Sequence, residues 1–259
     1  MRVIILCGGV GTRLREETEY RPKPMVNVGP RPILWHIMKI YAHYGHTEFV
    51  LPLGYKGNMI RDYFSHYELM NSDVTIELGK PDAYMVHQGH DESGWKITLA
   101  DTGENALKGA RVKRVQKYIG NEPFMLTYGD GVADVDLEKL LTFHRSHGKL
   151  ATVTGVNALA RFGELQVQDD TVTSFREKPQ VMDSPLISGG YFVFENRVFD
   201  YLSEDESCDL EYGTLERLAE EGQLMVYRHD GFWFCMDTLR DVEALNKMWQ
   251  EGQAPWKTW

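Results

Sequence analysis

Hydrophobic positions in this chain group into short apolar runs and longer stretches at helical spacing, in alternation. Val3–Leu6 and, apart from its threonine, Phe124–Tyr128 are apolar throughout, the pattern of strands covered on both faces, and Ala151–Val156 reads as another strand. Thr47–Leu53 reads as a further strand. Between the first two strands, Ile33, Ile37 and Tyr41 recur at steps of four after Pro32, with Gly45 beyond the end of the helix they predict. Met59, Ile60, Tyr63, Phe64 and Tyr67 predict a second helix, with Asn58 expected as its cap. Val112, Val115 and Ile119 mark the inner face of a helix spanning Lys108–Ile119, and Asp136–His147 predicts another. A strand-helix repeat of this kind places the chain in the α/β class.

The period changes from 3.6 to two at Val74, where Val74, Ile76 and Leu78 alternate with Thr75 and Glu77. A polar loop and a short strand at Lys96–Leu99 complete what reads as a β excursion over residues 71–100. His87, His90 and Asp91 lie in that loop, and a solvated turn explains them better than a metal site. The second half is less regular. Short strands are expected at Glu164–Val167, Val172–Phe175, Ile187–Phe194 and Leu224–Tyr227, with a helix at Thr214–Glu221 stopped by Gly222. Thr238 is the expected cap of a last helix carrying Leu245, Met248 and Trp249.

Composition narrows the partners. The 259 residues suit a single large domain, and a formal charge of -10 argues against nucleic acid or an anionic membrane as a general partner. Any anionic ligand must then be met by a local cluster of positive groups. Cys7, Cys208 and Cys235 are far apart and lack CxxC spacing, which indicates neither a disulfide framework nor a zinc knuckle. With no apolar run of signal or membrane-span length, a soluble protein of the reducing cytoplasm is the expectation.

Candidate chemistry begins where the first strand breaks into Gly8-Gly9-Val10-Gly11-Thr12-Arg13. So little side chain lets backbone N–H groups converge on a phosphate, and an arginine in the loop adds a planar, permanent charge. A Walker loop would need a Gly-Lys-Ser/Thr ending, and a dinucleotide fingerprint would need glycine where Leu14 stands. On this stretch alone, an ordinary strand-to-helix turn with a surface arginine reads equally well. Lys23 stands between Pro22 and Pro24, which should hold it on a stiff, extended strut. Asp130, between Gly129 and Gly131 at the end of an apolar strand, sits where open α/β sheets bind ligands. Asp237 precedes the last helix, and because Thr238 can supply the cap, its carboxylate is available for chemistry. Arg111, near the start of a basic helix with Lys113, Arg114 and Lys117, is placed to face a site, although a solvated basic face is the simpler reading. Gly189 and Gly190 at the start of a strand imply close approach of ligand or, equally, of another strand. Two aspartates with lysines and an arginine suit Mg²⁺ and phosphates. Phosphoryl or nucleotidyl transfer to an ionised phosphate needs alignment and charge neutralisation rather than a general base.

Leu6-Cys-Gly-Gly-Val-Gly-Thr-Arg-Leu14 together with Pro22-Lys-Pro24 resembles the signature of the sugar-nucleotide pyrophosphorylases. Thr127-Tyr-Gly-Asp-Gly-Val-Ala-Asp134, Phe175-Arg-Glu-Lys-Pro179, Met236-Asp-Thr-Leu-Arg-Asp241 and the ending Ala254–Trp259 look like the cytidylyl-transferring branch of that family. The resemblance implies one nucleotidyltransferase domain over residues 1–259, a three-layer sandwich with a mixed, mainly parallel sheet. It carries the 71–100 arm as an insertion and residues 231–259 as a metal-ligand helix and tail. The implied reaction is CTP plus α-D-glucose 1-phosphate giving CDP-glucose and pyrophosphate, in a homo-oligomer, toward dideoxysugars of bacterial surface polysaccharide. By the same resemblance Leu6, Gly8, Gly9, Val10, Gly11, Thr12, Arg13, Lys23, Arg111 and Gly129 bind the nucleotide. Asp130 and Asp237 bind Mg²⁺, and Glu177, Lys178, Ser188, Gly189 and Gly190 meet the sugar phosphate; Arg13, Lys23, Asp130 and Lys178 are the catalytic set. Three positions depart from the family pattern: Cys7 for alanine, Ala110 for a second glycine, and Ser188 for asparagine. Competing readings are a transferase for dTTP, UTP or another sugar 1-phosphate, and a non-catalytic nucleotide-binding protein on the same fold.

Overall fold

The order of apolar runs becomes a seven-stranded sheet in the computed structural model, which describes residues 1–80, 83–87, 89–157, 164–168, 171–176 and 186–259. Its strands are β1 (Val3–Leu6), β2 (Glu48–Leu53), β3 (Lys96–Asp101), β4 (Phe124–Tyr128), β5 (Ala151–Asn157), β6 (Leu186–Phe194) and β7 (Leu224–His229). They lie in the order β7-β5-β6-β4-β1-β2-β3. β6 runs antiparallel to β4 and β5, and the remaining pairs are parallel. This is the mixed, mainly parallel sheet the resemblance implies. The reversal of β6 brings Ser188 and Gly189 to the sheet edge where β4 ends, because Tyr191 pairs with Thr127.

Both faces of β1 are covered, which is why its sequence does not alternate. Val3, Ile5 and Cys7 face one core with Ile33, Leu34 and Ile37 of α1 (Ile33–His43). The same core takes Ile60 of α2 (Gly57–Ser65). Ile4 and Leu6 face the opposite core, which includes Val112 of α3 (Lys108–Arg114) and Phe199. Leu137 and Leu140 of α4 (Leu137–His147) and Leu245 of α5 (Leu239–Gln250) return to the first core. Three layers result. Each fully buried branched side chain contributes roughly 1.5–3 kcal/mol, and truncating one such as Ile4 to alanine costs about 2–5 kcal/mol.

Several local expectations are corrected by longer-range geometry. Lys96–Asp101 is not an arm of the excursion; it pairs in parallel with β2 and closes one edge of the sheet. The excursion hairpin is Val74–Ile76 against Tyr84–Val86. Asn58 does not cap α2: the capping position is Lys56, in the left-handed region at φ 49°. The helix expected over Lys108–Ile119 is split by a turn at Val115 (φ -98°, ψ 2°) into α3 and a short segment Gln116–Ile119. The expected helix at Thr214–Glu221 shortens to Glu216–Glu220, because Tyr212 and Gly213 interrupt the turn before it. His90 is packed rather than solvated, its ring between Glu68 and Glu92 at 3.0 and 3.2 Å.

Candidate active site

The ligand cleft opens at the carboxyl ends of β1 and β4 and has a volume of about 820 Å³, within the size range of small-molecule sites. β1 enters it through Gly8 and Gly11. Gly11 has φ 66°, a conformation that disfavours side chains, and opens the Thr12–Leu14 turn. A methyl on Gly8 would stand 2.3 Å from the Arg111 guanidinium, so glycine is required there by close approach. Thr12 and Arg13 are exposed at the cleft, and Val10 points to solvent outside its lining.

Lys23 is presented differently from the expected extended strut. Pro22 is extended (ψ 148°), but Lys23–Met25 then form a single tight helical turn. That turn buries the lysine stem and aims its ammonium at two carboxylates. Nζ lies 2.7 Å from Asp130 Oδ2 and 2.7 Å from Asp237 Oδ1. Burial alone would depress this lysine's pKa, yet the charge and hydrogen bond of Asp130, then the hydrogen bond of Asp237, outweigh it and raise the value. Arg13 donates to the other oxygen of Asp237 at 2.7 Å.

A small antiparallel ladder brings the two aspartates together across the chain. Gly131–Ala133 pairs with Trp233–Cys235, and Met236 N–H donates to the Asp130 carbonyl. Helix α5 is capped as expected by Thr238, whose hydroxyl and the Asp241 carboxylate form a reciprocal capping box. The Asp237 carboxylate therefore faces Lys23 and Arg13 instead of serving the cap. Cys235, on the same ladder, carries no sequence signal for this position. Its thiol and the Asp130 and Asp237 carboxylates offer ligand atoms within 4.8 Å of one another, the single such group among the described residues. Burial and then the two carboxylates push that thiol above its usual range. The arrangement suits a divalent cation: two hard oxygen donors converge, and a lysine ammonium already stands in for positive charge between them.

Arg111 lines the cleft, but its guanidinium is committed to the protein. It donates to the carbonyls of Leu53, Gly103, Gly8 and Glu104 and to Thr102 Oγ1, at 2.7–3.1 Å. Lys113 and Arg114 likewise donate to backbone carbonyls of Phe199, Glu204 and Thr102, so these two are not a solvated basic face, whereas Lys117 is exposed. Ala110 is fully buried, and its helix is docked by its N–H on the Cys208 carbonyl. Cys7 is buried, and its thiol is held protonated chiefly by burial and then by the charge of Asp130.

At the other end of the cleft, Ser188 is exposed and Gly189 receives the indole N–H of Trp233 on its carbonyl at 2.7 Å. Gly190 packs on the Tyr128 ring and does not line the cleft. Glu177 and Lys178 lie outside the described residues. Tyr128, Lys108 and Glu211 also line the cleft, Glu211 accepting from both of the others. No motif in the sequence pointed to Glu211, whose turn is shaped by Asp209 through hydrogen bonds to the N–H groups of Glu211 and Tyr212.

A model of the nucleotidyl transferase family matches residues 2–251, nearly the whole chain. The chain belongs to the nucleotidyl transferase family. Within this nucleotidyl transferase group, it is 47% identical over 260 residues to the glucose-1-phosphate cytidylyltransferase of Salmonella typhi, covering 100% of both chains. It is 46% identical over 260 residues to the Salmonella typhimurium protein of the same name, again covering both in full. A solved UDP-glucose pyrophosphorylase complexed with UDP-glucose superposes with a TM-score of 0.69 over 97% of this chain and 98% of that one. At 15% identity that likeness shows the nucleotidyl transferase fold alone.

Proposed function

We propose that this nucleotidyl transferase moves the cytidylyl group of CTP to α-D-glucose 1-phosphate, releasing pyrophosphate and CDP-glucose. The observation that carries the reading is the convergence of Lys23 on Asp130 and Asp237 beside the glycine loop. Full-length similarity to glucose-1-phosphate cytidylyltransferases supports the choice of CTP and glucose 1-phosphate.

In the proposed reaction a sugar-phosphate oxygen attacks the α-phosphorus of CTP. The new P–O bond forms as the bond from the α-phosphorus to the bridging oxygen breaks, and the electron pair leaves with pyrophosphate. The loop Gly8–Arg13 holds the triphosphate by backbone N–H groups and the Arg13 fork. Lys23 neutralises the charge that grows at the α-phosphate in the transition state. Asp130 and Asp237 would hold Mg²⁺, which when bound would offset phosphate charge. Glu177 is assigned to the sugar hydroxyls and Lys178 to the attacking phosphate. Arg111 keeps Gly8 in place for the nucleotide. A homo-oligomer of the cytoplasm, serving dideoxysugar synthesis for surface polysaccharide, is part of the same proposal and rests on the family resemblance.

Pyrophosphate release from a panel of CTP, UTP, dTTP and GTP with several hexose 1-phosphates tests the reading. CTP with glucose 1-phosphate should give the highest kcat/KM, and chelation of divalent ions should stop turnover. An equal or greater rate with UTP or dTTP would reject CTP as the substrate. Ser188 supports a second reading for the sugar, since it stands at the cleft in place of the usual asparagine and is a shorter hydrogen-bonding group.

A further inference from the structure

We infer that Lys23 and Arg13 plug the metal site of the nucleotide-free protein, so that a divalent ion enters in company with the triphosphate and is resisted when it comes alone. The inference rests on the functional reading above and concerns the regulation of that same site.

Each of the two aspartates is already in contact with a cation of the protein. Asp130 and Asp237 carry two negative charges, and Lys23 and Arg13 carry two positive charges at contacts of 2.7 Å. Lys23 spans both carboxylates from the inside, its side chain 11% exposed, whereas Arg13 holds Asp237 from the rim at 76% exposure. A divalent ion arriving alone must displace the ammonium from both carboxylates. The backbone at Lys23 is held, because Pro22 and Pro24 flank it and both are buried, so the ammonium stays in the neighbourhood of the carboxylates. It would be left as an unpaired cation beside the incoming ion, and the affinity of Asp130 and Asp237 for that ion falls by the fraction of molecules in which they are already occupied. A triphosphate changes the balance. Its oxygens give Lys23 and Arg13 new anionic partners within reach of the glycine loop, and the two aspartates turn from the lysine to the ion. The same two cations then serve in sequence as partners of the aspartates and as ligands of the nucleotide.

Titration of Mn²⁺ against the full chain without nucleotide, with free Mn²⁺ followed by electron paramagnetic resonance, tests the plug. Lys23→Met should bind Mn²⁺ about tenfold tighter than the wild type, or more, because both carboxylates are released. Arg13→Gln, at the exposed rim, should show a smaller gain and serves if Lys23→Met does not fold. The double variant Lys23→Met/Asp130→Asn should lose the gain. Wild-type and Lys23→Met curves that superpose would overturn the plug, as would a gain that persists without Asp130. These titrations contain neither CTP nor sugar phosphate. Failure of the plug with normal CDP-glucose synthesis would leave the catalytic reading standing, and absence of synthesis with a confirmed plug would remove only the catalytic reading.

Discussion

Lys23 and Arg111 are both basic side chains drawn into the same cleft, and they differ in what they hold. Arg111 gives its donors to four backbone carbonyls and one threonine hydroxyl. Lys23 gives its own to two carboxylates. Carbonyls belong to the backbone and cannot be exchanged without moving loops, whereas carboxylates can rotate to another cation. A buried positive charge at a binding site is therefore read by its partners: backbone partners make a brace, side-chain partners make a contact that a ligand can take over. Burial pulls the Arg111 pKa down, yet a guanidinium stays charged, so the brace persists at any ordinary pH.

The sharpest break in this comparison removes charge from the exchangeable side. Asp130→Asn is expected to lower kcat by roughly a thousandfold, about 4 kcal/mol in the barrier, while the melting temperature stays near wild type because Asp237 still pairs with Lys23. Turnover within tenfold of wild type would take Asp130 out of the proposed metal site. On the brace side, Arg111→Met leaves several buried carbonyls without a donor and should cost about 3–5 kcal/mol of stability. Chemical denaturation measures it. A loss of CTP affinity with unchanged stability would instead make Arg111 a direct nucleotide contact.

His36 is a buried group whose hydrogen bonds can be lost by titration. Its Nε2 donates to the Val28 carbonyl at 2.8 Å, and its Nδ1 accepts from Trp256 Nε1 at 3.4 Å, which requires a neutral ring. Burial lowers its pKa from 6.5 to about 4. The unfolded chain therefore takes up the proton first: the stabilisation is complete above pH 6.5, declines as pH falls toward 4, and amounts to roughly 3 kcal/mol. The unfolding free energy from chemical denaturation should fall by about this amount between pH 7 and 4, and His36→Gln should flatten the profile. An unchanged slope in that variant would move the effect to other groups, His46 being the first to examine because burial also lowers it to about 4. The smallest effect is expected at Ser188, where Ser188→Asn should change the kcat/KM ratio between glucose 1-phosphate and other hexose 1-phosphates by roughly 1 kcal/mol, about fivefold. Identical ratios would mean that this position does not read the sugar.

Much of the candidate site was legible because its signals are local. The glycine run, the paired prolines around Lys23 and the glycine-flanked Asp130 can each be interpreted within a few residues. Asp237 required one more step, the recognition that Thr238 could cap α5, and the capping box bears that out. The helix position of Arg111 points it to the cleft, but its commitment to four carbonyls is invisible locally, because those carbonyls come from segments up to 103 residues away. Cys235 carried no signal either. Its proximity to the aspartates follows from the Gly131–Ala133 and Trp233–Cys235 ladder, whose short strands show no strong period.

The strand at Lys96 shows the same division within the fold. Its existence was plain from residue type, and its assignment to the excursion was natural because the nearest preceding strands are there. Pairing with β2 reaches back 48 residues and depends on which sheet edge is open, a matter no local pattern records. The sequence by itself determined the α/β class, the doubly covered strands and most charged candidates, since periodicity, glycine and proline act through the backbone within a turn or two. Only the tertiary structure decided which strand lies at the edge, which arginine braces a loop, and that Lys23 and Asp237, 214 residues apart, meet at 2.7 Å. Such contacts depend on the summed packing of both cores rather than on any one stretch of chain.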